Sequence, residues 1–281
     1  RWEYLRIQVD TARRSKSDRM FVLSKDFNIK QTAVQSWLNE EDYDYECAFS
    51  LDQFDGAYAI GAVDLAETTD LVCARAMLMR PDDGRKFVLA HYFIPEGKLA
   101  ENDDAAEGAK YSEWAAAGIL TITEGNDIDL AVVADWYFRL YKDYGIKLWK
   151  CGYDQKFAKD WINRMETLGW TKAGSDPDLI MILQNAETLS NAIKLAEADF
   201  KSRLIWYDCT AYEGREMEQW NFRNACLKAD DKGKCLIVKQ KAAKKIDGAV
   251  CLAILYEMYR RYRTDYKDIV KNAFPDPDNE G

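Results

Sequence analysis

AYAIGAVDL, residues 57–65, decides how the chain is read. It is a short apolar run with small residues, the pattern of a strand buried in a sheet. LVCARAMLM (71–79) and KFVLAHYFI (86–94) read as a second and third strand, with a turn at PDDGR (81–85) between them. Such short gaps predict an antiparallel meander. A long loop runs from Pro95 to about Lys110, before a short helix near YSEWAAAG and a strand at ILTIT. IDLAVVADWYFRLYKDYG (128–145) is an amphipathic helix that closes on Gly145. IKLWKCGYD (146–154) is the fourth main strand. The helix after it sets Phe157, Trp161, Met165 and Leu168 on one side and stops at Gly169. Then come a helix over 184–200, a strand at LIWYD (204–208), a helix over EGREMEQWNFRNACLK and a strand at KCLIVKQ (234–240). A last helix starts near Lys245. Trp149, Trp161 and Trp206 belong in the core. Residues 1–50 read as charged and mostly helical, with no core-forming strand, and FPDPDNEG reads as a disordered tail. The pattern is that of an α/β domain with a mixed sheet flanked by helices.

Composition narrows the function. The 281 residues are 48% hydrophobic and 31% charged, as in globular chains. No apolar run reaches the roughly 18 residues of a membrane span. RWEYLRIQVDTARRSK is no signal peptide, and without an initiator Met the chain reads as a fragment or processed product. Seven cysteines, an odd number with no CxxC pair, point to reduced, buried thiols of a cytosolic protein. A single histidine, His91, leaves catalysis to carboxylates; His91 itself reads as a plain sheet residue. A net charge of −9 argues against a protein that coats nucleic acid. It leaves room for a nuclease whose acidic centre is masked by metal. Local basic runs exist at KQKAAKK (239–245) and RRYR (260–263).

Three aspartates stand at telling places. Asp64 ends the first strand and Asp154 ends the fourth. Asp247 opens the last helix on the face shared by Val250, Cys251, Ile254 and Met258. A carboxylate aimed at a core is costly unless something neutralises it. If the first and fourth strands are neighbours, Asp64 and Asp154 converge and the last helix supplies the third acid. The group would repel itself without divalent cations. Three carboxylates with two Mg²⁺ ions about 4 Å apart can cleave a phosphodiester. The plainer alternative makes Asp154 and Asp247 helix caps and Asp64 a turn residue.

GAVDLAETTDL (61–71), CGYDQKFA (151–158) and KKIDGAVCLAILY (244–256) resemble, in this order, the C-terminal nuclease domain of the tailed-phage terminase large subunit. FIPEG (93–97), KYSEWAAAGILTITEGNDID (110–129) and the lead-in FVLSKDFNIKQTAVQSWL (21–38) support the resemblance. It implies an RNase H-like fold and an endonuclease using two Mg²⁺ or Mn²⁺ ions. The substrate would be concatemeric double-stranded viral DNA, cut during packaging in the host cytoplasm. The small terminase subunit and the portal would be partners of the full-length protein, and no membrane is involved. By position Asp64, Asp154 and Asp247 match the acidic triad, and Asp70 an additional acid near the metals. Lys241, Lys244 and Lys245 are candidate DNA contacts. Glu67 could reach a metal from its loop, and Asp208, which ends LIWYD, could approach the site, with a turn role favoured for Asp208. No GxxxxGK[ST] loop occurs, so the ATP-driven motor of the full-length family is missing. Residues 1–50 then read as its trailing edge and linker, 51–265 as the nuclease and 266–281 as a flexible tail. Two other readings stay open: a different RNase H-like nuclease such as a resolvase, and a non-catalytic module that docks on DNA or the portal.

Overall fold

The computed structural model describes residues 2–14, 16–27, 35–66, 71–101, 108–230, 232–239, 241 and 244–274. The meander is present: β3 (Tyr58–Asp64), β4 (Val72–Leu78) and β5 (Lys86–Pro95) pair antiparallel in sequence order. Before it lie α1 (Trp2–Arg14), α2 (Lys16–Lys25), β1 (Gln35–Ser36), α3 (Glu40–Tyr43) and β2 (Ala48–Phe49). After it come α4 (Glu96–Glu101), α5 (Tyr111–Ala116), β6 (Leu120–Thr123), α6 (Leu130–Tyr144), β7 (Lys147–Tyr153), α7 (Ala158–Thr167) and β8 (Leu179–Met181). The rest is α8 (Ala186–Lys201), β9 (Ile205–Trp206), β10 (Asp208–Cys209), α9 (Arg215–Asn224), β11 (Ala225–Ala229), β12 (Cys235–Lys239) and α10 (Asp247–Ala273). Among the described residues the main sheet runs β6-β5-β4-β3-β7-β8, with β9 beside β5. β7 joins β3 in parallel, as does β8 join β7.

Helices cover both faces, and the strands sort their side chains between them. On β4, Val72, Ala74, Ala76 and Leu78 enter the core shared with α6 and α7. Cys73 and Met77 enter the other core, under α8, α9 and α10. Burial on both faces is why these strands read as continuous apolar runs rather than alternating ones. Gly145 ends α6 at φ 68°, where a Cβ would stand 2.0 Å from Asp55 Oδ1, so glycine is required there.

Several expectations need correction. The N-terminal segment is not merely an appendage: Trp37 is fully buried, with Phe200 and Phe222 ring centroids 5.9 and 6.4 Å away. β1 pairs with β11, and β2 with β10, so strands do occur before residue 51. Two-residue strands carry too little periodicity to be read. The stretch after Pro95 starts with α4, not a loop; residues 102–107 lie outside the described residues. Phe157 precedes α7 and is largely exposed, while Trp161 and Met165 are buried. ACLK is strand rather than helix, because Ala225 turns extended (φ −77°, ψ 130°) and pairs with Lys239. LIWYD is split between β9 and β10. Finally, α10 continues to Ala273. Tyr266 stacks on Trp149 and donates to the carbonyls of Tyr58 and Met77 at 2.9 and 2.8 Å, so residues 266–273 are not a flexible tail. Trp206 and Trp149 are only partly buried against the core.

All seven cysteines are buried, and none forms a disulfide. His91 is buried in β5, its Nε2 2.7 Å from Thr121 Oγ1, and among the described residues its Nδ1 has no hydrogen-bond partner. Burial, with a smaller push from Arg139, lowers its pKa to about 3. The unfolded chain therefore takes up this proton near pH 6.5 while the fold refuses it until about 3. Stability from this group is complete above pH 6.5 and is lost as pH falls, by up to about 1.4 kcal/mol per unit. His91→Gln should flatten the slope of stability between pH 6.5 and 5 in urea titrations; an unchanged slope would refute the assignment.

Candidate active site

Asp64 is the last residue of β3, and Asp154 follows the last residue of β7. The parallel register sets Val63 opposite Tyr153, so the two aspartates leave adjacent strand ends side by side. α10 runs antiparallel to β3 across the sheet. Its Tyr266 sits at Tyr58, and its Cys251 Sγ lies 3.3 Å from the carbonyls of both Ala62 and Cys73. Cys73 is the cross-strand partner of Asp64. Asp247, one turn before Cys251, is thereby carried towards the Asp64 end of β3.

Each acid has its own setting. Asp64 is half-buried and its Oδ1 accepts a 2.7 Å hydrogen bond from Gln184 Nε2. Asp154 is partly exposed and its Oδ1 accepts from the Gln155 N–H at 2.8 Å. Asp247 is half-buried, with Oδ2 enclosed. Neither helix-associated acid is itself an N-cap, although Asp247 stands in the first turn of α10, where a carboxylate suits the positive helix end. The N-cap of α7 is Phe157, and that of α10 is Ile246.

A buried network fixes the start of α10. Arg75 of β4, wholly buried, donates from Nε to the Gly248 carbonyl at 3.1 Å. Its Nη1 and Nη2 form a fork on Glu218 of α9 at 2.6 and 3.1 Å. Tyr92 of β5 donates to the same carboxylate, and Asn221 Oδ1 accepts the Gly248 N–H at 3.0 Å. Burial is the largest single influence and works against the Arg75 charge, but the Glu218 carboxylate, Tyr92 and the neighbouring thiols together outweigh it and hold the pKa well above the usual value. A Cβ at position 248 would stand 2.1 Å from Tyr92 Oη and 3.0 Å from Asn221 Cγ. Gly248→Ala should therefore push α10 off this anchor, lowering stability by about 1–3 kcal/mol. Thermal unfolding checks it, and an unchanged Tm would sink the account.

The remaining candidates scatter. Lys241 is exposed and Lys244 partly so, but Lys245 is buried, not offered to a DNA backbone; its carbonyl accepts from Asn224 Nδ2. Asp208 pairs with Arg215 at 3.3 Å between β10 and α9. Asp70 and Glu67 lie outside the described residues. Among the described residues no group of three His, Cys, Asp or Glu side chains is drawn together closely enough to hold a metal ion as it stands. Gln184 and the Arg75–Glu218 network were not foreseen. Gln184 gave no sequence signal, whereas the lone Arg in LVCARAMLM did: an arginine in a buried strand requires an acid.

The sequence profile of the terminase large subunit endonuclease domain matches residues 7–262. The chain belongs to that family. Protein YmfN of Escherichia coli (strain K12) is 27% identical to this terminase nuclease domain over 240 residues, which is 79% of the chain and 48% of YmfN. The large terminase of bacteriophage HK97 superposes with a TM-score of 0.64 at 18% identity, covering 86% of the chain and 48% of that protein. The large terminase nuclease of the thermophilic phage G20c, with bound magnesium, gives 0.42 at 11% identity over 71% of the chain and 80% of that protein. The terminase nuclease domain described here thus spans about half the length of YmfN and of the HK97 protein. The fold is RNase H-like, a central mixed sheet flanked by helices.

Proposed function

We propose that this chain is a metal-dependent DNA endonuclease in which Asp64, Asp154 and Asp247 are the working acids. The observation that carries the reading is the parallel β3–β7 pair, whose register sets Asp64 and Asp154 at neighbouring strand ends beneath the start of α10. The donors are all carboxylate oxygens, which suit hard cations such as Mg²⁺ or Mn²⁺. Asp64, Asp154 and Asp247 would hold two such ions, with Asp70 as a further acid. When bound, the ions supply charge neutralisation at the scissile phosphate and activation of a water.

The chain's own groups do the rest. Gln184 orients the Asp64 carboxylate. Asp154, partly exposed, is open to a phosphate arriving from solvent. The Arg75–Glu218 network holds the peptide next to Asp247 in place. Lys241 and Lys244 are the lysines of the basic run open to a DNA backbone.

The substrate is duplex viral DNA, cut as a concatemer during genome packaging in the host cytoplasm. In the full-length protein the partners are the small terminase subunit and the portal. No described helix is long and apolar enough to cross a membrane. The test is supercoiled plasmid with Mg²⁺ or Mn²⁺, alone and with chelator. Nicking and linearisation that stop with chelator support the reading. Cutting that survives chelator, or a strong preference for four-way junctions, overturns it.

A further inference from the structure

We propose that the cleft between α7 and β8 seats the backbone of one DNA strand, and that Phe157 packs against a base or sugar of that strand. The proposal rests on the nuclease reading and names where its substrate lies.

The cleft holds about 560 Å³ and begins at Tyr153 and Gln155, the two residues on either side of Asp154. Asp154 itself is outside the lining, so the cleft starts next to one of the three acids without including it. Its lining supplies Gln155, Lys159, Asn163 and Lys172, all exposed side chains that donate hydrogen bonds. Lys156 stands exposed in the same segment, and none of the three lysines is ion-paired among the described residues. Glu166 is the acid in the lining, and Asp160 lies next to Lys159 on α7. Apolar surface is also present: Met181 in the lining is 45% exposed. In a protein whose net charge is −9, a lysine-bearing cleft opening beside an acid suits a polyanion that must reach that acid.

Phe157 adds an independent sign. It lies between Gln155 and Ala158, both of which line the cleft. It is 47% exposed and adopts φ 60°, ψ 5°. A bulky residue in the left-handed region is strained, and such strain gathers at functional sites. An exposed ring contributes little to the core, so the fold gains nothing from phenylalanine here. Asparagine or glycine would meet the backbone geometry better. Aromatic side chains beside a nucleic-acid path stack on bases or wedge between base steps.

The experiment measures binding of a dye-labelled duplex by fluorescence anisotropy with chelator present, so metal plays no part, alongside Tm. Phe157→Asn should weaken binding about tenfold while Tm holds or rises, and Phe157→Trp should bind like the parent. Lys159→Gln with Lys172→Gln should weaken binding and reduce the slope of log affinity against log salt by about 1.8. A single-stranded arm shows whether one strand suffices. If the parent binds DNA and these variants bind equally well, the cleft is not the DNA path, though the nuclease reading stands. If Phe157→Asn lowers Tm, the ring is structural and its assigned role fails. If the parent binds no DNA in chelator, the cleft proposal falls, while plasmid cleavage with Mg²⁺ or Mn²⁺ decides the nuclease reading separately.

Discussion

Asp64→Asn, Asp154→Asn and Asp247→Asn should each slow metal-dependent plasmid cleavage by more than about a thousandfold. Neutralising a phosphate's developing charge is worth several kcal/mol, and each 1.36 kcal/mol is about tenfold in rate. Asparagine keeps the size of aspartate and removes only the charge. At position 64 its remaining oxygen can still accept from Gln184, so the change isolates the charge from the local structure. The same logic fixes the sign for stability. If the three carboxylates form the proposed site, like charges there repel, so in chelator each variant should be as stable as the parent or more so, by up to about 1 kcal/mol. A helix cap would change little on this replacement, because asparagine caps about as well as aspartate, and would lose about 1 kcal/mol only on replacement by alanine. Rates, Tm and Mn²⁺ calorimetry together decide it. A variant that cuts at the parent's rate would remove that residue from the site.

The second large effect concerns Glu218. Its carboxylate, almost fully buried, is gripped by the Arg75 fork and by Tyr92. Glu218→Leu strands a buried guanidinium and should cost about 3–5 kcal/mol. That is a third or more of the stability of many domains. The double variant Arg75→Met with Glu218→Leu removes both charges and should recover most of the loss. It does not restore the donor to the Gly248 carbonyl, so cleavage should stay low although the chain is folded. Urea unfolding measures the first half and plasmid cleavage the second. A Glu218→Leu variant within about 1 kcal/mol of the parent would show that the network adds little.

Much of this architecture could be read from residues alone, for definite reasons. The strands β3, β4 and β5 are nearly continuous apolar runs, broken only by residues such as Arg75 and His91, because both faces of the sheet are covered. Gly145 marks its helix end because only glycine fits beside Asp55. The chain order of the acids was legible too, since each aspartate terminates or begins a strongly apolar element. What escaped was set by distant partners. β11 starts inside a helical pattern because pairing with β1 and β12 overrides local propensity at Ala225. Lys245 reads as a surface lysine, yet the packing of α9 against the approach to α10 buries it. Phe157 fits the helical apolar spacing by count, but α7 begins one residue too late to use it.

The buried thiols make the molecule a gauge of its own opening. Burial raises the pKa of Cys151 to about 12 and that of Cys251 well beyond the usual range, so neither reacts while the fold is closed. Cys251 is wedged between α10 and the carbonyls of Ala62 and Cys73. A disulfide reagent reaches it only when α10 lifts from the strand that ends in Asp64. Its labelling rate is thus a clock for how often the first turns of α10 part from the sheet, read without any substrate.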